Sequence, residues 1–488
     1  MINNDTICAI STPAGVGGIA MLRVSGENAF EICDKIFVSA NGNKIADFQA
    51  NTIHFGKIVS EQRTKNKEQR NSYLIPHSSF LNIIDEVLVS VFRFPHSFTG
   101  ENIVEISAHG SIFVQQEILK LLLQSGCRLA QAGEFTQRAF LNGKMDLAQA
   151  EAVADLIAST SAAAHRLAMN QMRGGISCEL QNLRSQLLDF VSLIELELDF
   201  SEEDVEFADR KNLIDLSEKI CQKLSALTKS FDLGNAVKNG IPVAIAGETN
   251  VGKSSLLNFL LNEEKAIVSD IHGTTRDIIE DCVNIQGVMF RFIDTAGIRS
   301  TDNEIEKIGI ERALQQIEKA QIVLNVVDCT EFNSPQITQI NTDKIICENL
   351  CNLWTNKVIL VFNKIDLIND DKIQIINELY KDFDCPKIFV SIKEKINTEK
   401  LLDEILKAAN ISQLSENDVI ITNIRHRDAL QKSLDAIERV ISGLQSGIPT
   451  DFISQDIREC LHFLGEITGE ISTDEILGNI FGKFCIGK

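Results

Sequence analysis

Apolar residues change rhythm three times along this chain of 488 residues. Over the first 144, short β-like runs at 18–24, 53–59 and 86–92 are broken by turns, with one amphipathic segment at 112–123. That mixture predicts an α+β domain. From 145 the spacing becomes helical: Leu147, Ala150, Ala154 and Ile157 share one face of an Ala-rich stretch that runs to 173, and 180–198 repeats the pattern with Leu and Ile. The prolines, at 13, 76, 95, 242, 335, 386 and 449, leave 96–241 free of helix breakers, so long helices can run there. An acidic helix junction is expected at 201–206. Strand-like runs then return at 241–246, 288–293, 358–362 and 388–390, with a helix-like run at 255–261, before amphipathic helices resume at 425–443 and 453–469. The expected architecture is a multidomain α/β chain: an N-terminal α+β domain (1–144), a helical domain in two parts (145–239 and 410–488) that pack together, and an inserted domain (240–409) with a Ras-like doubly wound sheet.

Four short motifs give the inserted domain its chemistry. Gly247-Glu248-Thr249-Asn250-Val251-Gly252-Lys253-Ser254 fits G-x-x-x-x-G-K-[ST], and it stands between a strand-like run and a helix-like one. Glycines let consecutive backbone N–H groups curl round a β-phosphate, the helix presents its positive end, and Lys253 adds a full charge toward the β/γ oxygens. Asn250, Val251, Gly252, Lys253, Ser254 and Ser255 are the expected phosphate-side contacts, with Ser254 on magnesium. Asn363-Lys364-Ile365-Asp366 follows the run 358–362; Asp366 can accept from two adjacent guanine N–H groups, a pattern adenine lacks, and Lys364 can lie against the base plane. Asp294-Thr295-Ala296-Gly297 would hold magnesium through water and place the Gly297 N–H at the γ-phosphate. Ser391-Ile392-Lys393 resembles the Ser-Ala-Lys guanine loop with Ile for Ala, a swap the backbone N–H contact tolerates. One Gly-rich loop alone could merely close a strand–helix crossover, but four motifs in order select a GTPase. Ile298 stands where the best-known small GTPases carry a water-positioning glutamine, so the attacking water is oriented otherwise. Arg299, Glu304 and Glu306 are nearby candidates, each of which also fits a solvated charge on a helix turn.

Composition narrows the setting. No apolar run approaches the ~18 residues of a membrane span, and no basic n-region precedes an apolar core at the start, so a cytoplasmic protein is expected. Twelve cysteines without a C-x-x-C pair read as reduced thiols rather than disulfides or zinc ligands. A net charge of −21 disfavours a broad nucleic-acid-binding face. Gly15-Val16-Gly17-Gly18 lacks the spacing of a second nucleotide site and is expected to form a tight turn.

The residues also carry a specific resemblance. Gly273-Thr274-Thr275-Arg276-Asp277, Asp294-Thr295-Ala296-Gly297-Ile298-Arg299, Phe140-Leu141-Asn142-Gly143-Lys144, Thr99-Gly100-Glu101, Gly133-Glu134-Phe135 and the closing Phe484-Cys485-Ile486-Gly487-Lys488 resemble the tRNA-modifying GTPase family MnmE, also called TrmE, across all three domains. Departures are Ile392 in the guanine loop, Glu248-Thr249 where Arg-Pro is frequent, and His272 where Ala is frequent. The resemblance implies a homodimer that works with the FAD-carrying flavoprotein MnmG. The pair would install a carboxymethylaminomethyl or aminomethyl group at C5 of the wobble uridine of certain tRNAs, with a one-carbon unit from a tetrahydrofolate.

It further implies that GTPase domains pair around potassium in place of an arginine finger. Asn250, Ser269, Ile271 and Thr274 would be its ligands, Thr275 would join Ser254 on magnesium, and Glu306 would orient the attacking water. For the folate, Arg23, Glu105 and Lys144 match family positions, with Lys488 reaching in from a partner's terminus; from spacing alone each reads as an ordinary surface charge. Cys485 carries two readings, a buried structural thiol and a group near the folate carbon, while Gly487 and Lys488 exclude a prenylation signal. Two other classes stand beside this one. A ribosome-assembly GTPase with a KH-type tail is disfavoured because 411–488 carries 7 Lys/Arg against 12 Asp/Glu and no G-x-x-G. A self-assembling structural GTPase would need a lipid-facing segment, and none is present in the sequence.

Overall fold

The computed structural model describes residues 5–61, 81–199, 210–248, 250–263, 281–293, 320–331, 357–381, 383–410, 419–446, 448–471 and 473–487. It divides into two units, Met1–Ala154 with Leu461–Lys488, and Asp155–Cys460.

In the first unit, β1 (Ile7–Ile10), β2 (Gly17–Ser25), β3 (Phe37–Ser39), β4 (Thr52–Glu61), β5 (Leu81–Phe92), β6 (Ile103–Gly110) and β7 (Arg128–Leu129) form a sheet in the order β3-β4-β5-β6-β2-β1-β7. All neighbours are antiparallel except the β1–β7 pair. Helices α1 (Ala29–Asp34) and α2 (Ile112–Ser125) cover one face, where Cys8, Leu22, Val24, Val104 and Ile106 meet Ile32, Ile118 and Leu122 in one apolar core. On the opposite face Ile7 and Ala9 pack with Phe135 of α3 (Glu134–Leu141), an amphipathic turn of chain that the hydrophobic rhythm does not single out. The glycine run at 15–18 is not a simple turn: Gly17 starts β2, a register shift falls between Gly17 and Ile19, and a Cβ at Gly110 would lie 2.3 Å from the Gly17 carbonyl oxygen. Glycine is needed there because two backbones touch.

The C-terminal segment belongs to this unit. Leu477 and Phe481 of the terminal helix Asp474–Phe481 pack with Leu147 and Ala150, and Ile486 bridges to Ala132. The tail from 461 therefore packs with residues of the N-terminal portion rather than wholly with the helices that precede the inserted domain. The Ala-rich stretch 147–173 is two helices, α4 (Leu147–Ala158) and α5 (Ala162–Met172), because Ser161 in extended conformation caps the second by accepting from the Ala164 N–H.

In the second unit, α6 (Gly175–Asp199) and α7 (Arg210–Asn239) are the long helices permitted by the proline-free stretch; the junction at 201–206 lies outside the described residues. Leu213, Ile220, Leu224, Leu227 and Phe231 make the buried stripe of α7. Ile424–Ser446 forms the helix that packs along it, and a Cβ at Gly234 would come 2.1 Å from the Ile421 carbonyl oxygen. Chain parts on either side of the inserted domain thus meet directly, joined also by Gln171, which donates to Ile420 and Thr422 at 3.1 and 2.9 Å.

The inserted domain starts at β8 (Ile241–Ala246), immediately after α7, and contains β9 (Asp281–Ile285), β10 (Val288–Phe292), β11 (Ile322–Asp328), β12 (Lys357–Asn363) and β13 (Lys387–Phe389). Their order is β13-β12-β11-β8-β10-β9, parallel except for β9, which pairs with β10 across the Gln286-Gly287 turn with both residues at positive φ. β11 and β12 are apolar and buried almost throughout, as strands covered on both faces must be. Parallel strands all deliver their carboxyl ends to one edge, and that edge is where the motifs lie.

Candidate functional site

The phosphate loop leaves β8 at Gly247 and enters α8 (Lys253–Glu263). Gly247 has φ +135°, and a Cβ would sit 2.2 Å from the Val326 carbonyl oxygen of β11; Gly252 has φ +105°, and a Cβ would sit 2.3 Å from Asn363 Nδ2. Both glycines are therefore required by conformation and by space. Gly252→Ala is expected to push Asn363 away and lower GTP affinity by at least about tenfold, measured by titration with a fluorescent GTP analogue; unchanged affinity would show that the loop relaxes at no cost.

Asn250, Ser254 and Ser255 are exposed and Val251 is buried. Lys253 Nζ donates to the carbonyls of Gly247 and Glu248, the latter at 2.8 Å, which carries its charge across the loop. Burial pulls the Lys253 pKa below the ordinary lysine value, and Glu248 opposes that pull only in part.

The base-reading residues converge on the same place. Asn363 is 4% exposed; its Nδ2 donates to the Val251 carbonyl at 2.9 Å, and its Oδ1 accepts from the Ile392 N–H at 3.3 Å. This amide ties the phosphate loop to the guanine loop, so its role is to position both. Ser391 and Ile396 exchange backbone hydrogen bonds, and the Ser391 hydroxyl accepts from the Glu394 N–H. Ile392 puts its side chain into the domain core, which accounts for an aliphatic residue at this position. A cavity of about 670 Å³ collects Asn250, Gly252, Ser255, Asn363, Lys364, Asp366, Ser391, Ile392 and Lys393. Asn258, Phe259, Leu367 and Lys395 also line it, and none of them belongs to a motif. The Lys395 ammonium lies 5.8 Å from the centre of the Phe259 ring.

Asp328 is the residue that motif reading missed. It ends β11 beside Asn363, and its carboxylate accepts from Lys364, which also donates to the Asn250 carbonyl at 3.1 Å. Burial alone would raise its pKa, but Lys364 and both the N–H and hydroxyl of Thr330 outweigh it and hold the carboxyl below the usual carboxylate range. A charged residue at the end of a largely apolar run, followed by Cys329-Thr330, was the only local signal.

In the first unit, Arg23 and Glu105 are direct cross-strand partners on β2 and β6, joined from Nε at 2.8 Å and from Nη2 at 2.7 Å, both to Oε1. The Arg23 guanidinium lies 5.4 Å from the Phe98 ring centre and 5.7 Å from that of Phe135. Both charges are largely buried, so the surface-charge reading fails for them. Lys144 is exposed and donates to the Pro95 carbonyl at 3.1 Å. Cys485 is also exposed, which corrects the buried-thiol expectation: the terminal strand-like segment is held through backbone, with Ile486 bridging Ala132 and Gly487 accepting from Ser11 Oγ at 3.2 Å. Ser269, Ile271, Thr274, Thr275, Asp294, Thr295, Ala296, Gly297, Glu306 and Lys488 lie outside the described residues.

A phosphate loop after the first strand of a doubly wound sheet, with an Asn-Lys-x-Asp motif at the carboxyl end of another strand, defines a P-loop GTPase domain. Two family models match the chain, the MnmE helical domain over residues 147–485 and the GTP-binding protein TrmE N-terminus over residues 6–144. The tRNA modification GTPase MnmE of Bacteroides thetaiotaomicron is 54% identical over 495 residues, covering 100% of both chains. That of Flavobacterium psychrophilum is 49% identical over 490 residues, again covering 100% of both. Among solved structures, a variant of Era from Aquifex aeolicus bound to GDP.AlF4- covers 40% of this chain and 66% of that chain, at 30% identity and a TM-score of 0.27. The chain belongs to the MnmE (TrmE) family of tRNA modification GTPases. Among the described residues no helix is long and apolar enough to cross a membrane.

Proposed function

We propose that this chain is a cytoplasmic, potassium-dependent GTPase that works as a homodimer with the FAD-carrying flavoprotein MnmG to modify C5 of the wobble uridine of certain tRNAs. The group added is carboxymethylaminomethyl or aminomethyl, with its one-carbon unit drawn from a tetrahydrofolate. The observation that carries the cation part of the reading is Asn250. It sits exposed at φ +68° in the lining of the nucleotide cavity, its backbone carbonyl accepting from Lys364.

An amide oxygen is a hard ligand suited to an alkali cation, and Ser254 at the start of α8 offers a hydroxyl suited to magnesium. Cations held there would supply positive charge where it develops between the β- and γ-phosphates. This chain's own residues have separable tasks. Lys253 binds the phosphates, Asp366 accepts from the guanine edge, Lys364 covers the base, and Asn363 keeps the two loops in register. Ser269, Ile271 and Thr274 are proposed to complete the potassium ligands, Thr275 the magnesium ligands, and Glu306 to orient the water.

The folate reading is supported by Arg23, Glu105 and Phe98. Arg23 occupies Glu105 Oε1, so Oε2 remains an acceptor for pterin N–H groups beside two aromatic rings. Exposed Lys144 is proposed to meet a glutamate tail, with Lys488 joining it, and exposed Cys485 can approach the same unit's ligand. With a net charge of −21, the flavoprotein is proposed to supply much of the tRNA contact.

Steady-state GTP hydrolysis at equal ionic strength in potassium and in sodium tests the reading. Potassium is expected to raise turnover at least about tenfold, and wobble uridines should lack the modification in cells without the protein. Equal rates in the two salts would remove the cation from the mechanism while leaving the tRNA role to the second measurement.

A further inference from the structure

Behind Lys364, which lines the nucleotide cavity, stands a buried charge that none of the four motifs provides. Asp328 is 4% exposed at the end of β11, in register with Asn363 at the end of β12. Its Oδ1 accepts from the Thr330 N–H at 2.8 Å and from the Thr330 hydroxyl at 2.7 Å, so the plane of the carboxylate is set locally. Oδ2 is thereby aimed at the ammonium of Lys364. The same ammonium donates to the carbonyl of Asn250, and Lys364 and Asn250 both stand at φ 68°. One carboxylate therefore fixes a residue of the base-reading motif against a residue of the phosphate loop.

A lysine side chain is long and rotamer-rich, and orienting it when ligand arrives is costly. A carboxylate that is itself held by Thr330 takes that cost before binding, which is how preorganisation raises affinity. The Asn363 amide makes a separate, neutral tie between the same loops, so the local fold does not depend on the charge. We propose that Asp328 is a positioning residue for guanine-nucleotide binding, holding the Lys364 stem across the base face and its ammonium on the Asn250 carbonyl, so that base capture and phosphate-loop conformation are set together. This rests on the cavity being the GTP site.

The test is stopped-flow release of fluorescently labelled GDP from the full chain. Asp328→Asn should speed release about tenfold, and the Asp328→Asn/Lys364→Gln double variant should release no faster than Lys364→Gln alone. Release of labelled inosine diphosphate should quicken by the same factor, since the lysine covers the base face and does not read the guanine edge. Signal amplitude reports the folded fraction and the rate reports the site, so partial unfolding does not mimic the effect. Asp366→Asn serves as the control for the site itself, and GDP retention unaffected by it would overturn both the cavity assignment and this proposal. If Asp366→Asn impairs retention but Asp328→Asn releases GDP at the parental rate, or if the Asp328 and Lys364 effects multiply independently, Asp328 does not act through Lys364.

Discussion

Lys253→Met should hydrolyse GTP with a kcat/KM lower by about a thousandfold or more, the scale seen when one preorganised charge is removed from a phosphoryl-transfer site. The size follows from where the ammonium stands. Lys253 is half-buried at the first position of α8, and its hydrogen bonds to the Gly247 and Glu248 carbonyls hold it over the loop. A charge desolvated in this way acts through a lower effective dielectric than one in water. The same burial makes the residue titrate early. As pH rises, the free enzyme should lose this ammonium before an exposed lysine would, so the alkaline limb of kcat/KM should fall below the ordinary lysine value of about 10.4. Bound phosphate oxygens favour the charged form, so the corresponding limb of kcat should lie higher. Methionine keeps the length and helix propensity of the side chain, which leaves the start of α8 intact. A Lys253→Met chain that binds and turns over GTP as before would remove Lys253 from the chemistry, and coincident limbs in the two profiles would detach the pH effect from it.

Motif order was enough to group the phosphate-loop and base-reading segments at one sheet edge, and the cause is physical. Phosphate loop and base-reading motif each follow an apolar run, and parallel strands must bring such points to one edge, so segments far apart in the chain could be grouped from their spacing alone. Long helices between 96 and 241 were legible from missing prolines, but the break between α4 and α5 was not, because a serine cap interrupts a helix without any residue that forbids one. Asp328 was not legible for a different reason. Its partners are 36 and 2 residues away, and no spacing rule relates a strand-end carboxylate to a lysine just past the end of the next strand. Asn363 was assigned to the nucleotide by motif, but the tie its amide makes between Val251 and Ile392 was not legible from spacing. The exposure of Cys485 depends on a backbone pairing between the chain's end and Ala132, a contact across more than 350 residues that leaves no local trace.

The same blindness to long-range charge hid the ion network that holds the first unit together. Arg138 of α3 is 9% exposed at its side chain and reaches Asp5 at 2.7 Å, Glu134 at 3.0 Å and Glu101 at 3.1 Å, besides the Asp5 carbonyl at 2.8 Å. Arg128 serves Asp5 and Glu134 from the other side, and Ser25 donates to Glu101 at 2.7 Å. Removing Arg138 leaves three carboxylates close together with one guanidinium between them, and Arg138→Met is expected to cost about 3–5 kcal/mol. Hydrogen exchange of the β1 and β2 amides in the full chain reads this locally, as exchange faster by about two to four orders of magnitude where opening is governed by the unit's own stability. Arg138→Lys should fall between, because an ammonium lacks the fork needed to span three carboxylates.

The pH dependence of that unit has a fixed sign. Arg128 and then Arg138 hold Asp5 below the usual carboxylate range against the opposing effect of burial. Burial would raise Glu134, but Arg128, the Gln131 N–H and Arg138 together bring it below its ordinary value. Depressed carboxylate pKa values contribute stability that is full above the unfolded values near 4 and is lost as pH falls through the folded ones. Arg138→Met weakens the depression, so the acid transition of β1 and β2 should move to higher pH while the difference between variant and parent shrinks below it. If exchange in these strands were the same in both chains at neutral pH, the buried guanidinium would be a bystander, and the packing of Phe135, Ile7 and Ala9 alone would hold α3 to the sheet.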